Sequence, residues 1–349
     1  MRTASSLLIA AVVSLAACSS TSSNSADDST SVATTTVAAT DAATTIEAPP
    51  TNAVVETTAA TDHTSDSVDT TPVDSAPVTA TVAAWPDRPY EVFVPSSADG
   101  STPLPLPLVM LLHGYGASGI IQEEYLRLQP LAEERGFLYV HPEGTIDSTD
   151  RQFWNATDAC CDDFSSEIDD SAYLLDVITQ IEADYRVDVS RIFVIGHSNG
   201  GFMSYRMACD HADVVAAIVS LAAATFADAS QCAPSNPVSV VEIHGTNDSA
   251  IAYDGGTREG QSPYPSAATT VATWAGYDGC STEPALSATT LDLDSEVVGN
   301  ETSVTSFADC PDGVDVELWT IADGEHVPNL TSEFGPAIID FLFAHPKPG

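Results

Sequence analysis

Residues Gly196-His197-Ser198-Asn199-Gly200 follow directly on the apolar run Ile192-Phe193-Val194-Ile195. The run reads as a buried strand, and the pentapeptide as a G-x-S-x-G elbow leading into a helix from Gly200. A serine on so sharp a turn sits in a strained backbone conformation. Glycines two before and two after it relieve the crowding that side chains would cause. The expected gain is an exposed hydroxyl at the carboxyl edge of a sheet, near a helix amino terminus whose dipole favours developing negative charge. An ordinary glycine turn gives the same letters; the strand before and the helix after favour the elbow.

Outward from the elbow, extended and helical patterns alternate from Arg88 onward. Tyr90 to Val94 reads as an edge strand, and Leu108 to Leu112 as a buried one. Helical spacing runs from Gln122 to Arg135, followed by a strand from Leu138 to His141. Asp169 to Tyr185 is amphipathic, with Tyr173, Leu174, Val177, Ile178 and Ile181 on one face and acids at its start. A helix from Gly200 to Cys209 follows Ser198, and strands are expected at Ala216 to Leu221 and Val238 to His244. Ser266 to Gly276 predicts a helix, Val314 to Ile321 a strand, and Phe334 to Phe343 a closing helix. Such alternation predicts an α/β fold with a mostly parallel sheet covered on both faces. No internal repeat and no second folded domain are expected.

The amino terminus is of another kind. Leu7 to Ala17 is apolar or small, follows Arg2 and ends in Leu15-Ala16-Ala17-Cys18, too short to span a bilayer. Residues 1–18 resemble a bacterial lipoprotein signal with Cys18 as the lipidated residue; a plain secretory signal is the alternative. Either predicts export, to an extracellular or cell-surface location, and the lipoprotein reading lets the protein meet the membrane only through a lipid anchor. Residues 19–84 are mostly Ser, Thr, Ala, Asp and Pro and predict a disordered tether, leaving 85–349 as the folded domain. The net charge of -40, from 10 basic and 50 acidic residues, argues against nucleic acid and anionic membrane surfaces as partners.

With Cys18 set aside, Cys160, Cys161, Cys209, Cys232, Cys280 and Cys310 remain, an even number in an exported chain. The expected bridges are Cys209–Cys232 and Cys280–Cys310, leaving Cys160–Cys161 as a vicinal pair. The alternative leaves one or both of the adjacent cysteines free or differently paired. No C-x-x-C or H-x-x-x-H spacing accompanies them, so no metal site is expected.

A nucleophilic serine needs a base, an orienting carboxylate and donors for an oxyanion. On sheets of this kind these groups follow in the order Ser, Asp or Glu, His. Asp248 closes Gly245-Thr246-Asn247-Asp248, just past a buried strand, where ligand-facing groups collect. It also reads as a turn residue with an Asx bond, with Asp254 and Asp323 as substitutes. Only His326 and His345 follow it. His345 sits beside Pro346 in an expected fraying tail. His326 lies in Asp323-Gly324-Glu325-His326-Val327-Pro328, a loop that can bring its imidazole over Ser198. His113, His197 and His244 are expected to make structural or site-wall hydrogen bonds. The oxyanion donors should be the N–H groups of Asn199 and of Tyr115, in His113-Gly114-Tyr115-Gly116. Each such donor is worth roughly 3–4 kcal/mol of transition-state stabilisation.

From about Arg88 to His345 the chain resembles the polyhydroxybutyrate-depolymerase-like esterases, which include feruloyl and acetylxylan esterases of the carbohydrate esterase 1 type. The likeness rests on Leu112-His113-Gly114, His141-Pro142-Glu143-Gly144, Phe153-Trp154-Asn155, Cys160-Cys161 and Asp169-Asp170. It continues through Gly196 to Tyr205 and His244-Gly245-Thr246-Asn247-Asp248. The resemblance implies an α/β-hydrolase fold and an extracellular serine esterase acting on carboxylic esters without metal or organic cofactor. It implies Ser198, Asp248 and His326 as the triad. A same-fold peptidase and a catalytically silent surface binding protein are the alternatives. The family commonly carries Trp-Pro-Gly after the histidine, where this chain has Val327-Pro328-Asn329. Trp154 and Trp274 could replace the lost aromatic wall, although core packing is the expected role of both.

Overall fold

The structure is a computed structural model and describes residues 78–98 and 104–347. The expected signal with Cys18, and the tether as far as residue 77, lie outside the described residues. Residues 78–84, assigned above to the tether, begin the folded part instead: Val78–Ala80 is a strand and Val82 is buried.

The strands are β1 (Val78–Ala80), β2 (Tyr90–Phe93), β3 (Leu106–Leu112), β4 (Leu138–Val140), β5 (Thr145–Ile146), β6 (Gln152–Phe153) and β7 (Val187–His197). They continue with β8 (Ala217–Leu221), β9 (Ser239–Gly245), β10 (Gly256–Thr257), β11 (Pro263–Tyr264), β12 (Pro284–Leu291), β13 (Thr302–Phe307) and β14 (Val316–Ile321). Ten of them form one sheet in the order β1-β2-β4-β3-β7-β8-β9-β14-β13-β12, while β5–β6 and β10–β11 are separate hairpins. The six strands from β4 to β14 in that order are parallel, and the flanking strands are antiparallel.

The helices are α1 (Gly119–Leu126), α2 (Gln129–Arg135), α3 (Asp170–Asp184), α4 (Asn199–Asp210), α5 (Ala267–Asp278) and α6 (Phe334–Ala344). Alternate residues of each central strand feed opposite cores. Leu108, Met110, Ile192 and Val194 pack with α3, α4 and α5, whereas Val109, Leu111, Phe193 and Ile195 pack with α1, α2 and α6. Strands buried on both faces explain the unbroken apolar runs. Among the described residues no helix is long and apolar enough to cross a membrane.

Three further expectations need correction. Tyr90–Phe93 is not the edge, because β1 pairs outside it. The helical run from Gln122 to Arg135 is two helices: Arg127 takes a left-handed conformation with φ 54°, its N–H closes on Glu123 O, and Pro130 opens α2. His345 is not in a fraying tail but buried, with Nδ1 2.7 Å from Phe341 O and Nε2 2.8 Å from Asp315. The cysteines pair as Cys160–Cys161, Cys209–Cys232 and Cys280–Cys310.

Candidate active site

Ser198 stands between the carboxyl end of β7 and α4 with φ 54° and ψ −121°, a conformation that side-chain-bearing residues avoid. Only glycine fits on either side. A Cβ on Gly196 would collide with the Gly200 carbonyl, and one on Gly200 with the Leu112 carbonyl of β3. The elbow is held by the Ser198 N–H donating to Leu221 O at 2.8 Å and by helix closure from Phe202 N–H to Ser198 O at 3.0 Å.

Two further loops converge on this serine from parallel strands to one side. The loop after β9 carries Asp248 and the loop after β14 carries His326. They are laced together: Thr246 N–H donates to Ile321 O at 3.0 Å, Asn247 N–H to Gly324 O at 2.9 Å, and Asp323 N–H to Thr246 Oγ1 at 2.8 Å. His326 Nε2 lies 3.0 Å from Ser198 Oγ, and its Nδ1 lies 2.7 Å from Asp248 Oδ2. Asp248 Oδ1 accepts the N–H groups of Ala250 and Ile251, both at 2.8 Å. Burial by itself would raise the Asp248 carboxyl. Hydrogen bonds from His244 and His326, with the His326 charge, outweigh it and hold the acid well below the usual carboxylate range. The substitute acids Asp254 and Asp323 are both exposed.

On the other side lies the loop after β3. A Cβ built on Gly114 would sit 3.5 Å from Ser198 Cβ, so this loop runs against the serine. Gly114 N–H donates to Gln122 Oε1 at 3.2 Å and Gly116 N–H to Gln152 O at 2.7 Å. Between them, the Tyr115 N–H has no hydrogen-bond acceptor among the described residues. Asn199 is the first residue of α4, where an N–H has no intrahelical acceptor. The Tyr115 hydroxyl donates to Asp147 at 2.7 Å, and Arg151 lies 5.7 Å from its ring.

The neighbouring histidines are support. His197 is buried, and burial pushes it down to about 4, so it is neutral and its Nε2–H donates to the His326 carbonyl at 2.9 Å. Burial also pushes His113 down to about 4; its Nδ1–H donates to Gly114 O at 2.9 Å and its Nε2 accepts from Gly144 N–H at 2.9 Å. The Asn199 side chain clamps the Trp154 backbone, accepting from its N–H at 2.7 Å and donating to its carbonyl at 2.9 Å. Trp154 and Trp274 are both 0 % exposed, so neither supplies a wall to the site, while Val327 beside His326 is 53 % exposed. Glu242 has no place in the expected site, yet it lies buried against His244, which in turn contacts Asp248. Its signal was a carboxylate inside the otherwise apolar run Val240-Val241-Glu242-Ile243.

Residues 101–262 match the phospholipase/carboxylesterase family of hydrolases. The chain is 28% identical over 214 residues to NocK of Nocardia uniformis subsp. tsuyamanensis, which carries an esterase name; the match covers 60% of each chain. It is 31% identical over 182 residues to feruloyl esterase B of Piromyces equi, covering 50% of this chain and 31% of that one. A bifunctional acetylxylan esterase/xylanase of Neocallimastix patriciarum is 26% identical over 48% of this chain and 22% of its own. The chain thus spans less than two thirds of the length of each of these relatives. Among solved structures, the acetyl xylan esterase from Aspergillus awamori superposes with a TM-score of 0.51 at 15% identity, over 74% of this chain and 94% of that one. Sheet order, the elbow between β7 and α4 and this likeness agree: the chain has the α/β-hydrolase fold.

Proposed function

We propose that the chain is a serine esterase that hydrolyses carboxylic esters through an acyl-enzyme. Ser198 Oγ attacks the ester carbonyl while His326 Nε2 takes its proton, and Asp248 fixes the imidazole with Nδ1–H toward the acid. The N–H groups of Asn199 and Tyr115 hold the negative charge that develops on the carbonyl oxygen. The proton on His326 then goes to the departing alcohol. Water deprotonated by the same imidazole releases the acid and restores Ser198.

The observation that carries this reading is the unbroken chain of hydrogen-bond distances, 3.0 Å and 2.7 Å, from a strained elbow serine through His326 to Asp248. The names of the relatives favour feruloyl or acetylxylan esters as substrates; the sequence resemblance adds hydroxyalkanoate polyesters as a third class. The amino-terminal pattern supports export, with Cys18 as a lipid attachment point.

A panel of aryl esters of increasing acyl length, with feruloylated and acetylated sugars, a polyhydroxybutyrate suspension and short peptide amides, tests the proposal. Hydrolysis of esters that Ser198→Ala abolishes is expected. Cleavage confined to the peptides would make it a peptidase. No turnover of any member would leave the binding-protein reading.

A further inference from the structure

Behind Asp248 lies a second imidazole that the proposed reaction does not use. His244 is the penultimate residue of β9 and its side chain is 1 % exposed. Its Nδ1 is 2.9 Å from Glu242 Oε1, and its Nε2 is 2.8 Å from Ile251 O and 3.4 Å from Asp248 Oδ2. A carbonyl oxygen only accepts, so Nε2 must carry a proton. Glu242 takes the Tyr205 O–H at 2.8 Å on Oε2 and the Ala223 N–H at 3.1 Å on Oε1. The Oε1 that faces the ring is thus already an acceptor, and an acceptor opposite Nδ1 places a proton on that nitrogen as well.

We propose that His244 is a permanent imidazolium between Glu242 and Asp248, a positioning residue that sets the pH range in which His326 acts as a base. The proposal rests on the triad reading above. Asp248 Oδ2 is shared by two rings, His326 at 2.7 Å and His244 at 3.4 Å. A fixed positive charge behind the acid weakens its hold on the His326 proton, so His326 is free to accept the serine proton at lower pH.

The surroundings agree from every side. From α4 comes the Tyr205 phenol, which burial and then Glu242 push far above its ordinary value, so it stays neutral. The loop after β8 offers only the Ala223 N–H. The loop after β9 brings Asp248, the Ile251 carbonyl and the Tyr253 ring, perpendicular to the imidazole with centroids 5.7 Å apart and its hydroxyl 2.9 Å from Thr320 Oγ1 of β14. The loop after β14 reaches His244 only through Asp248, by way of His326. Among the described residues, two carboxylates and no second permanent cation therefore face the ring. Burial alone would strip its proton; hydrogen bonds with Asp248 and Glu242 outweigh it and push the group up to about 10.

The test is nitrogen NMR of the full chain labelled at histidine, between pH 6 and 8.5. Two protonated ring nitrogens on His244 throughout that range are expected. A ring with one unprotonated nitrogen in that range would overturn the proposal. In parallel, His244→Gln should move the acidic limb of the kcat/KM profile for an aryl acetate upward by about one pH unit. An acidic limb left in place, with only thermal stability reduced, would reduce His244 to a packing role and also overturn it. If that variant does not fold, the NMR result on the unaltered chain decides. Ester hydrolysis surviving in Ser198→Ala would instead sink the triad reading, and leaves the NMR signature untouched.

Discussion

On the β9–β14 side of Ser198 the structure gathers charge, and on the β3 side it relies on groups that do not titrate near neutrality. The first side holds Glu242, His244, Asp248 and His326 in a connected set of hydrogen bonds and one ion-pair contact. The second is built from the Tyr115 and Asn199 N–H groups, the Gln122 amide, neutral His113 and the Trp154 indole, which donates to His113 O at 3.0 Å. The acid Asp147 meets Tyr115 only at its far hydroxyl, its other oxygen taking the Thr149 hydroxyl and the N–H groups of Thr149 and Arg151. The difference fits the two tasks of the proposed reaction. Passing a proton needs partners whose charge can change, whereas receiving a transient negative charge needs fixed dipoles that cost no reorganisation.

The largest expected effect breaks the charged side. Asp248→Asn should lower kcat by about 10⁴-fold, because the His326 tautomer is no longer fixed. It should also change the acid end of the stability curve. The carboxyl is held low in the folded state, so its contribution is present at neutral pH and lost as pH falls below the ordinary carboxylate range. Urea midpoints from pH 7 to pH 3 should fall less steeply in the variant.

Asp278, at the end of α5, sharpens the comparison from outside both sides. It is buried with no cation beside it among the described residues: one oxygen accepts the Val238 N–H at 3.1 Å and the other has no partner there. Burial therefore raises this acid to about 7. The sign is opposite to that of Asp248, since the protonated form is the stable one in the fold. Its stability is full below the unfolded value and is lost as pH rises through about 7. A shift of this size corresponds to about 4 kcal/mol at most, so Asp278→Asn should flatten the decline in melting temperature between pH 5 and pH 8.

On the neutral side, Asn199→Ala keeps the backbone N–H but releases the Trp154 clamp. A kcat loss of up to about 10²-fold is expected from misplaced donors, with the pH profile unmoved. A displaced acidic limb would mean that the two sides are not separate devices. The smallest effect is at the rim. Val327→Trp restores an aromatic beside His326 and should lower KM about threefold for feruloyl esters, leaving acetyl esters unchanged.

Much of this was legible because the physics is local. Leu108 to Leu112 and Ile192 to Ile195 are apolar without a break, as strands covered on both faces must be, and the elbow is specified by three residues and two steric contacts. Other parts depend on tertiary partners. The strand Pro284–Leu291 is mostly exposed and built of Ala, Thr, Ser and Leu, so its pairing with Thr302–Phe307 leaves little hydrophobic period to read. The break at Arg127 requires a left-handed residue with no glycine to announce it. The Glu242–His244 pair sits in a strand whose buried positions otherwise follow apolar logic, and its meaning appears only once Tyr205, Ala223 and Asp248 surround it.

The most direct test is to treat the chain with a fluorophosphonate and map the adduct by peptide mass spectrometry. The account predicts a single phosphonylated residue, Ser198, with labelling abolished in Ser198→Ala and slowed at least about 10²-fold in His326→Ala. An adduct on any other residue, or labelling at full rate without the His326 imidazole, would contradict it.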